Sequence, residues 1–239
     1  MRRALITGGS GGIGKACGRK LIELGYDVIL TARREEPLRA AAEEMGARYV
    51  VADATEPEKF KPAVQAAAEI DLVVHAAGIL GGTYARKQTF EQWRATMSAN
   101  LDSCFVVTSA ALPRMKAGSR FVFISSSAAH EPMMARTAYS ASKAGMNAFA
   151  AALAQEVDRD GINVLIVTPG PVETEMLQDV PFEMWAIRAS DVADAVAWLD
   201  TIDPSVDLPE IRLHAITRGP SARAPIVPIE VERRTSRTK

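Results

Sequence analysis

Ala4-Leu5-Ile6-Thr7-Gly8-Gly9-Ser10-Gly11-Gly12-Ile13-Gly14 is the stretch that decides the fold of this chain. Its first three residues form a short apolar run that reads as a strand. Beyond the glycines, Ile13, Cys17, Leu21 and Leu24 recur at helical spacing, and Gly25 is a C-terminal stop. Strand, glycine-rich turn and helix together are the context of a dinucleotide site. Glycines let the backbone turn tightly and approach a pyrophosphate. The helix N-terminus then offers it free N–H groups and the positive end of a dipole. A glycine cluster alone would suit an ordinary surface loop; the flanking strand and helix argue against that here.

Outward from this stretch, apolar runs alternate with helical patterns. Strands are expected at 4–7, 27–31, 48–52, 72–75, 120–125, 163–168 and 210–215, and helices at 13–25, 35–45, 57–68, 90–116, 137–160 and 190–201. Such alternation predicts an α/β fold: a doubly wound parallel sheet of about seven strands with helices on both faces. Val28-Ile29-Leu30 and Leu72-Val73-Val74 are apolar at consecutive positions, as strands covered on both faces should be. No Gly-, Pro- or Ser-rich linker divides the chain, so a single domain is expected over 1–219. The last residues, 220–239, carry Pro220, Pro225 and Pro228 and a basic end at Arg233, Arg234, Arg237 and Lys239, and read as a disordered tail.

Composition narrows the function classes. The 239 residues are 48% hydrophobic, enough for a well-filled core, and the net charge of −1 suggests neither a nucleic-acid surface nor an anionic membrane partner. Cys17 and Cys104 are the only thiols, which fits a reduced, cytoplasmic chain without a disulfide framework. The histidines and cysteines show no metal-ligand spacing. No apolar stretch approaches the ~20 residues of a membrane span, and no apolar leader precedes the first strand.

The second informative stretch is Tyr139-Ser140-Ala141-Ser142-Lys143. On a helix, the phenol and the ammonium leave the same face about one turn apart. A free Tyr titrates near about 10, too high for efficient proton donation at neutral pH. A neighbouring Lys⁺ is expected to lower that value. Such a pair can give a proton to a carbonyl oxygen or take one from an alcohol.

With both stretches in one chain, the sequence resembles the short-chain dehydrogenase/reductase family over residues 3–200. The family's T-G-x-x-x-G-x-G matches Thr7, Gly8, Gly12 and Gly14, and its Y-x-x-x-K matches Tyr139 and Lys143. Its active-site serine, thirteen residues before the tyrosine, matches Ser126, and its helix asparagine matches Asn100. Its P-G-x-V-x-T matches Pro169, Gly170, Val172 and Thr174. The resemblance implies a Rossmann-type sheet and an oxidoreductase. Tyr139 would be the acid/base, Ser126 would hold the substrate carbonyl, and Lys143 would tune the tyrosine and bind the nicotinamide ribose. Asn100 would hold a water that relays protons. A cofactor site would be built from Gly8, Ser10, Gly12, Ile13, Gly14, Arg33, Arg34, Asp53, Ala54, Ala77, Gly78, Pro169, Gly170, Val172 and Thr174, together with Tyr139 and Lys143.

Cofactor choice lies after the second strand. A site for NAD usually carries an acidic residue there; this chain has Ala32, Arg33 and Arg34. A guanidinium suits a 2′-phosphate, which points to NADP(H), read mainly by Arg33; solvated charges at a helix start are the other reading of the two arginines. Asp53 matches the family's acidic residue near the adenine, and a helix cap is the other reading of it. The family's N-N-A-G appears as His75-Ala76-Ala77-Gly78, so His75 is expected to take over hydrogen bonds that an asparagine would make. Met176, Leu177, Phe182 and Trp185 are candidates to line a substrate pocket, and ordinary core packing is the equal alternative for them. The expected partners are a small carbonyl or alcohol substrate and further copies of the chain, as a homodimer or homotetramer. Met146, Phe149 and Leu153 are the residues expected to meet a neighbouring copy. Two other readings stay open: an NADP(H)-binding sensor of the same fold without turnover, and a dehydration or epimerisation on the same scaffold.

Overall fold

Strands with apolar residues at every position demand cover on both faces, and the helices between them provide it. The computed structural model describes residues 1–177, 184–199, 201–203, 205–218, 222 and 224–225. In chain order the elements are β1 (Arg3–Thr7), α1 (Gly12–Glu23), β2 (Asp27–Ala32), α2 (Glu35–Met45), β3 (Arg48–Val51), α3 (Pro57–Gln65) and β4 (Leu72–His75). There follow α4 (Phe90–Met97), α5 (Ser103–Ala111), β5 (Arg120–Ile124), α6 (Thr137–Val157) and β6 (Asn163–Pro169). The short strands β7 (Val172–Glu173) and β8 (Ile187–Arg188), then α7 (Ala189–Leu199) and β9 (Glu210–Leu213), complete the described chain.

Seven strands form one sheet in the order β3-β2-β1-β4-β5-β6-β9, and every pairing is parallel. This is the doubly wound, Rossmann-like arrangement expected. Along β1 the side chains alternate between two cores. Ala4 and Ile6 pack with Cys17, Leu21, Leu38 and Val192 from α1, α2 and α7. Leu5 packs on the other side with Phe60, Val107, Met146 and Leu153 from α3, α5 and α6. The strand order reverses between β1 and β4, so the connections leaving them diverge. That opens a crevice at the carboxyl ends of these strands, where ligands of such sheets sit.

Two expectations are corrected here. The helix expected over 90–116 is interrupted: α4 and α5 flank a π-helical turn at Ser98–Asp102, and a 3₁₀ turn follows at Leu112–Arg114. Met146 and Leu153 are buried in the subunit's own core, and Phe149 packs edge-on against Phe123 with ring centroids 6.0 Å apart. The exposed face of α6 carries Ala141, Ala144, Ala148, Ala151 and Ala152 instead. Phe182 lies outside the described residues, as does the tail expected over 220–239 apart from residues 222, 224 and 225. No described helix is long and apolar enough to cross a membrane.

Candidate active site

The turn from β1 into α1 is packed as tightly as backbone allows. Gly8 has φ +67, and a Cβ added there would lie 2.7 Å from the Ala76 carbonyl oxygen. A Cβ on Gly14 would lie 2.3 Å from the Gly8 oxygen, and one on Gly12 would lie 2.6 Å from Thr174 Cγ2. The cradle closes on itself through Gly11 N–H to Gly8 O at 2.9 Å and on β2 through Gly9 N–H to Thr31 O at 3.1 Å. The N-terminus of α1 is left open: no side chain caps it and no acid stands in its first turn. Free N–H groups, a positive dipole end and room made by glycines fit the pyrophosphate of a dinucleotide.

A cleft of ≈ 1130 Å³ runs from this cradle along the sheet's carboxyl edge. Ser10 and Ile13 line it beside the glycines, and Arg33, Arg34, Asp53 and Ala54 line the end formed by β2 and β3. Ala77 and Gly78 lie at its middle, with Pro169, Gly170, Val172 and Thr174 opposite. Ser126 and Tyr139 form the other end. Among the residues expected at the site, Asn100 and Lys143 lie beneath this surface, both buried. Neither Arg33 nor Arg34 has an ion-pair partner among the described residues, which leaves both guanidinium groups available to an anion.

Ser126 ends the extended chain after β5, and Tyr139 is in the first turn of α6. Burial pushes the phenol above its ordinary value, while a hydrogen bond with Ser126 and the charge of Arg136 pull the other way. Lys143 stands one turn further along α6. Its Nζ donates to the Ile124 carbonyl at 2.8 Å, and burial lowers its pKa to about 8. The expected lowering of the tyrosine by the lysine is therefore not found: the ammonium reaches back to β5, and burial dominates the phenol.

Residues 2–184 match the family model described as short chain dehydrogenase. The chain belongs to that family. It is 34% identical over 221 residues to an acetoacetyl-CoA reductase of Acinetobacter sp. (strain RA3849), a match covering 82% of this chain and 89% of the relative. Among solved structures it is similar to BdcA in complex with NADPH, with TM-score 0.82 and 26% identity over 89% of this chain and 93% of that one. It is likewise similar to a short chain dehydrogenase from Burkholderia cenocepacia J2315 in complex with NADP, with TM-score 0.80 and 30% identity over 89% and 96% of the two chains. The protein is an oxidoreductase of the short-chain dehydrogenase family.

Against this family background the local departures acquire a physical account. His75 is fully buried where the family has asparagine. Ser103 Oγ donates to Ala99 O at 2.9 Å, so it accepts from His75 Nε2–H at 3.0 Å. His75 Nδ1 then accepts from Thr7 Oγ1 at 2.9 Å, and Thr7 Oγ1 accepts from Ala77 N–H at 3.2 Å. The ring thus ties β4 to β1 and to α5. Burial, aided by the Lys143 charge, pushes its pKa down to about 3, and the imidazole is neutral.

Asn100 sits in the π-helical turn, a feature often found at functional sites. Its Oδ1 accepts from Ile79 N–H at 2.8 Å, while Nδ2 donates to Ile79 O at 3.0 Å and to Ser142 Oγ at 2.9 Å. Ser142 Oγ in turn donates to Tyr139 O at 2.8 Å. The side chain therefore clamps the loop after β4 to the helix that carries Tyr139. A relay water at Asn100 would have to share Oδ1 with Ile79, or the backbone carbonyl that already accepts from Cys104 Sγ at 3.2 Å. Asp53 caps no helix: Oδ1 accepts from Thr55 N–H at 2.9 Å and Thr55 Oγ1 at 2.7 Å, and the cap of α3 is Glu56.

Met176 and Leu177 line the cleft as expected; Trp185 is exposed and outside it. Leu80, Tyr84, Met133, Met134 and Arg136, none of them marked by a sequence motif, also stand in the wall. A polar cluster that no motif announces begins at Ser125 in the cleft wall. Ser125 Oγ donates to Asn147 Oδ1 at 2.5 Å, and His130 Nε2 meets Glu210 Oε1 at 2.6 Å. Burial works against the Glu210 carboxylate, but bonds from Thr168, Arg212 and His130 outweigh it and hold its pKa at about 2.

Proposed function

We propose that the chain is an NADP(H)-dependent carbonyl reductase or alcohol dehydrogenase in which Tyr139 transfers the proton. The observation that carries this reading is the one cleft that joins a glycine cradle, two arginines without an ion-pair partner among the described residues, and the Ser126–Tyr139 pair. Gly8, Ser10, Gly12, Ile13 and Gly14 would hold the pyrophosphate, and Arg33 with Arg34 the 2′-phosphate. Val172 and Thr174 would hold the nicotinamide carboxamide. When bound, the cofactor supplies the electron pair of the reaction, and the remaining tasks fall to side chains of this chain.

Ser126 Oγ holds the substrate oxygen. Tyr139, kept protonated by burial, donates its proton to that oxygen as charge develops there. Lys143 Nζ donates to the Ile124 carbonyl and reaches Met146 Sδ at 3.9 Å, and its remaining N–H donor would serve the nicotinamide ribose. Asn100 acts as a positioning residue through Ile79 and Ser142. The homo-oligomer, a dimer or tetramer, would use the exposed alanine face of α6 and the exposed Phe105 of α5.

The test is NADPH consumption, followed by loss of reduced-nicotinamide absorbance, over a panel of ketones and oxo acids, with NADH in parallel. Turnover faster with NADPH supports the reading. NADPH binding without turnover on any member would favour a sensor.

A further inference from the structure

The two ends of the cleft differ in charge. Arg33, Arg34 and Asp53 stand at the cradle end. Beyond Ser126 and Tyr139 the wall is largely apolar, with Ile79, Leu80, Met133, Met134 and Leu177, and its other polar groups there are the neutral Tyr84, Ser125 and Ser127. Arg136 interrupts that apolar wall. It is the residue immediately before α6, three positions from Tyr139, and both residues line the cleft. The charge of its guanidinium is felt at the Tyr139 hydroxyl. Glu175, which follows Thr174 in the wall, has its own partner in Lys15 at 3.8 Å.

A guanidinium has five N–H donors. That of Arg136 gives one, from Nη1 to the Gly82 carbonyl at 3.3 Å, and it has no carboxylate partner among the described residues. Its seat is built by unusual backbone. Ala135 is a non-glycine residue at φ 58, a strained conformation that persists where its surroundings dictate it. It turns the chain from Met133-Met134 into α6. Gly82, at φ +151, makes room: a Cβ there would lie 2.6 Å from Ala135 O, 2.8 Å from Arg136 Nη1 and 2.9 Å from Arg136 Cδ.

We infer that Arg136 binds a carboxylate on the substrate, so that the substrate class is an oxo acid, or the corresponding hydroxy acid in the reverse direction. The carbon skeleton would lie against Met133, Met134 and Leu80 while the carbonyl reaches Ser126 and Tyr139. A carboxylate fits better than a phosphate. One guanidinium fork matches a planar monoanion, and the apolar wall offers no second cation for a dianion. This rests on the reductase reading given above.

The experiment compares 3-oxobutanoate, 4-oxopentanoate and 5-oxohexanoate with their methyl esters, using the full chain and saturating NADPH. It is run on wild type, Arg136→Met and Arg136→Lys. The ratio of acid to ester kcat/KM is taken within each protein, so a partial loss of folded enzyme cancels. In wild type the best acid should exceed its ester by at least about tenfold. Arg136→Met should lower that ratio by about ten- to a hundredfold, carried mainly in KM for the acid, and Arg136→Lys should restore part of it. A wild-type preference for esters, or equal loss on acid and ester in Arg136→Met, overturns the assignment and leaves the reductase reading standing. No turnover of acids, esters or simple ketones, with NADPH still bound, overturns both.

Discussion

One end of the cleft is made of backbone and the other of side chains. At the β1–α1 turn the critical contacts are between main-chain atoms, down to the 2.3 Å that a Cβ on Gly14 would leave to Gly8 O. At the far end the groups that face the cleft are side chains, the Ser126 and Tyr139 hydroxyls and the Arg136 guanidinium, with Lys143 held beneath them on the Ile124 carbonyl. A backbone site tolerates no added atom, and its loss is a loss of binding. A side-chain site can lose one functional group without moving, and its loss is a loss of chemistry.

The largest effect that would sharpen this contrast is at the cradle. Gly14→Val should weaken NADPH binding on the order of 10²-fold and lower the melting temperature, because the clash is with backbone that cannot yield. Titration of NADPH fluorescence and a thermal melt check both, and near-normal binding would break the contrast at once. Arg33→Ala, where the cradle end does use a side chain, should weaken NADPH by about 10–100-fold and NADH far less, the loss of a charged hydrogen bond. Equal losses for the two cofactors would remove Arg33 as the reader of the 2′-phosphate.

The smallest effect is at His75, midway between the two ends. Its folded pKa, about 3, lies below the ordinary histidine value. The unfolded chain therefore binds the proton first as pH falls, and the stability from this group is full above about pH 6.5 and lost toward pH 3. Between about pH 7 and 5.5 the loss should be about 1 kcal/mol. His75→Asn should remove that part of the slope. Denaturant titrations at both pH values test it, and an unchanged slope in the variant would show that His75 is not its source.

Much of the fold is legible in the sequence, for a local reason. Val28-Ile29-Leu30 and Leu72-Val73-Val74 are apolar throughout because the sheet is covered on both faces, and the β1–α1 turn needs glycine at each close approach. What escapes notice depends on distant contacts. The π-helical turn at Ser98–Asp102 is held by Asn100 reaching Ile79 and Ser142, neither of which is near it in sequence. The pairing of β7 with β8 joins two-residue strands with no pattern of their own. Lys143 is on the expected face of α6, but only the packing against β5 sends its ammonium to the Ile124 carbonyl. Arg136 reads as any solvated arginine until Ala135 and Gly82 fold around it.

The most direct measurement is the pair of readouts on Tyr139→Phe: kcat on the best ketone or oxo acid, and the dissociation constant of NADPH. Removing the hydroxyl leaves the ring in place and takes away the proton donor, so turnover should fall by at least ~10²-fold while NADPH affinity stays close to wild type. Turnover near the wild-type rate would contradict Tyr139 as the proton donor, and a matching loss of NADPH affinity would contradict the separation of binding from chemistry along the cleft.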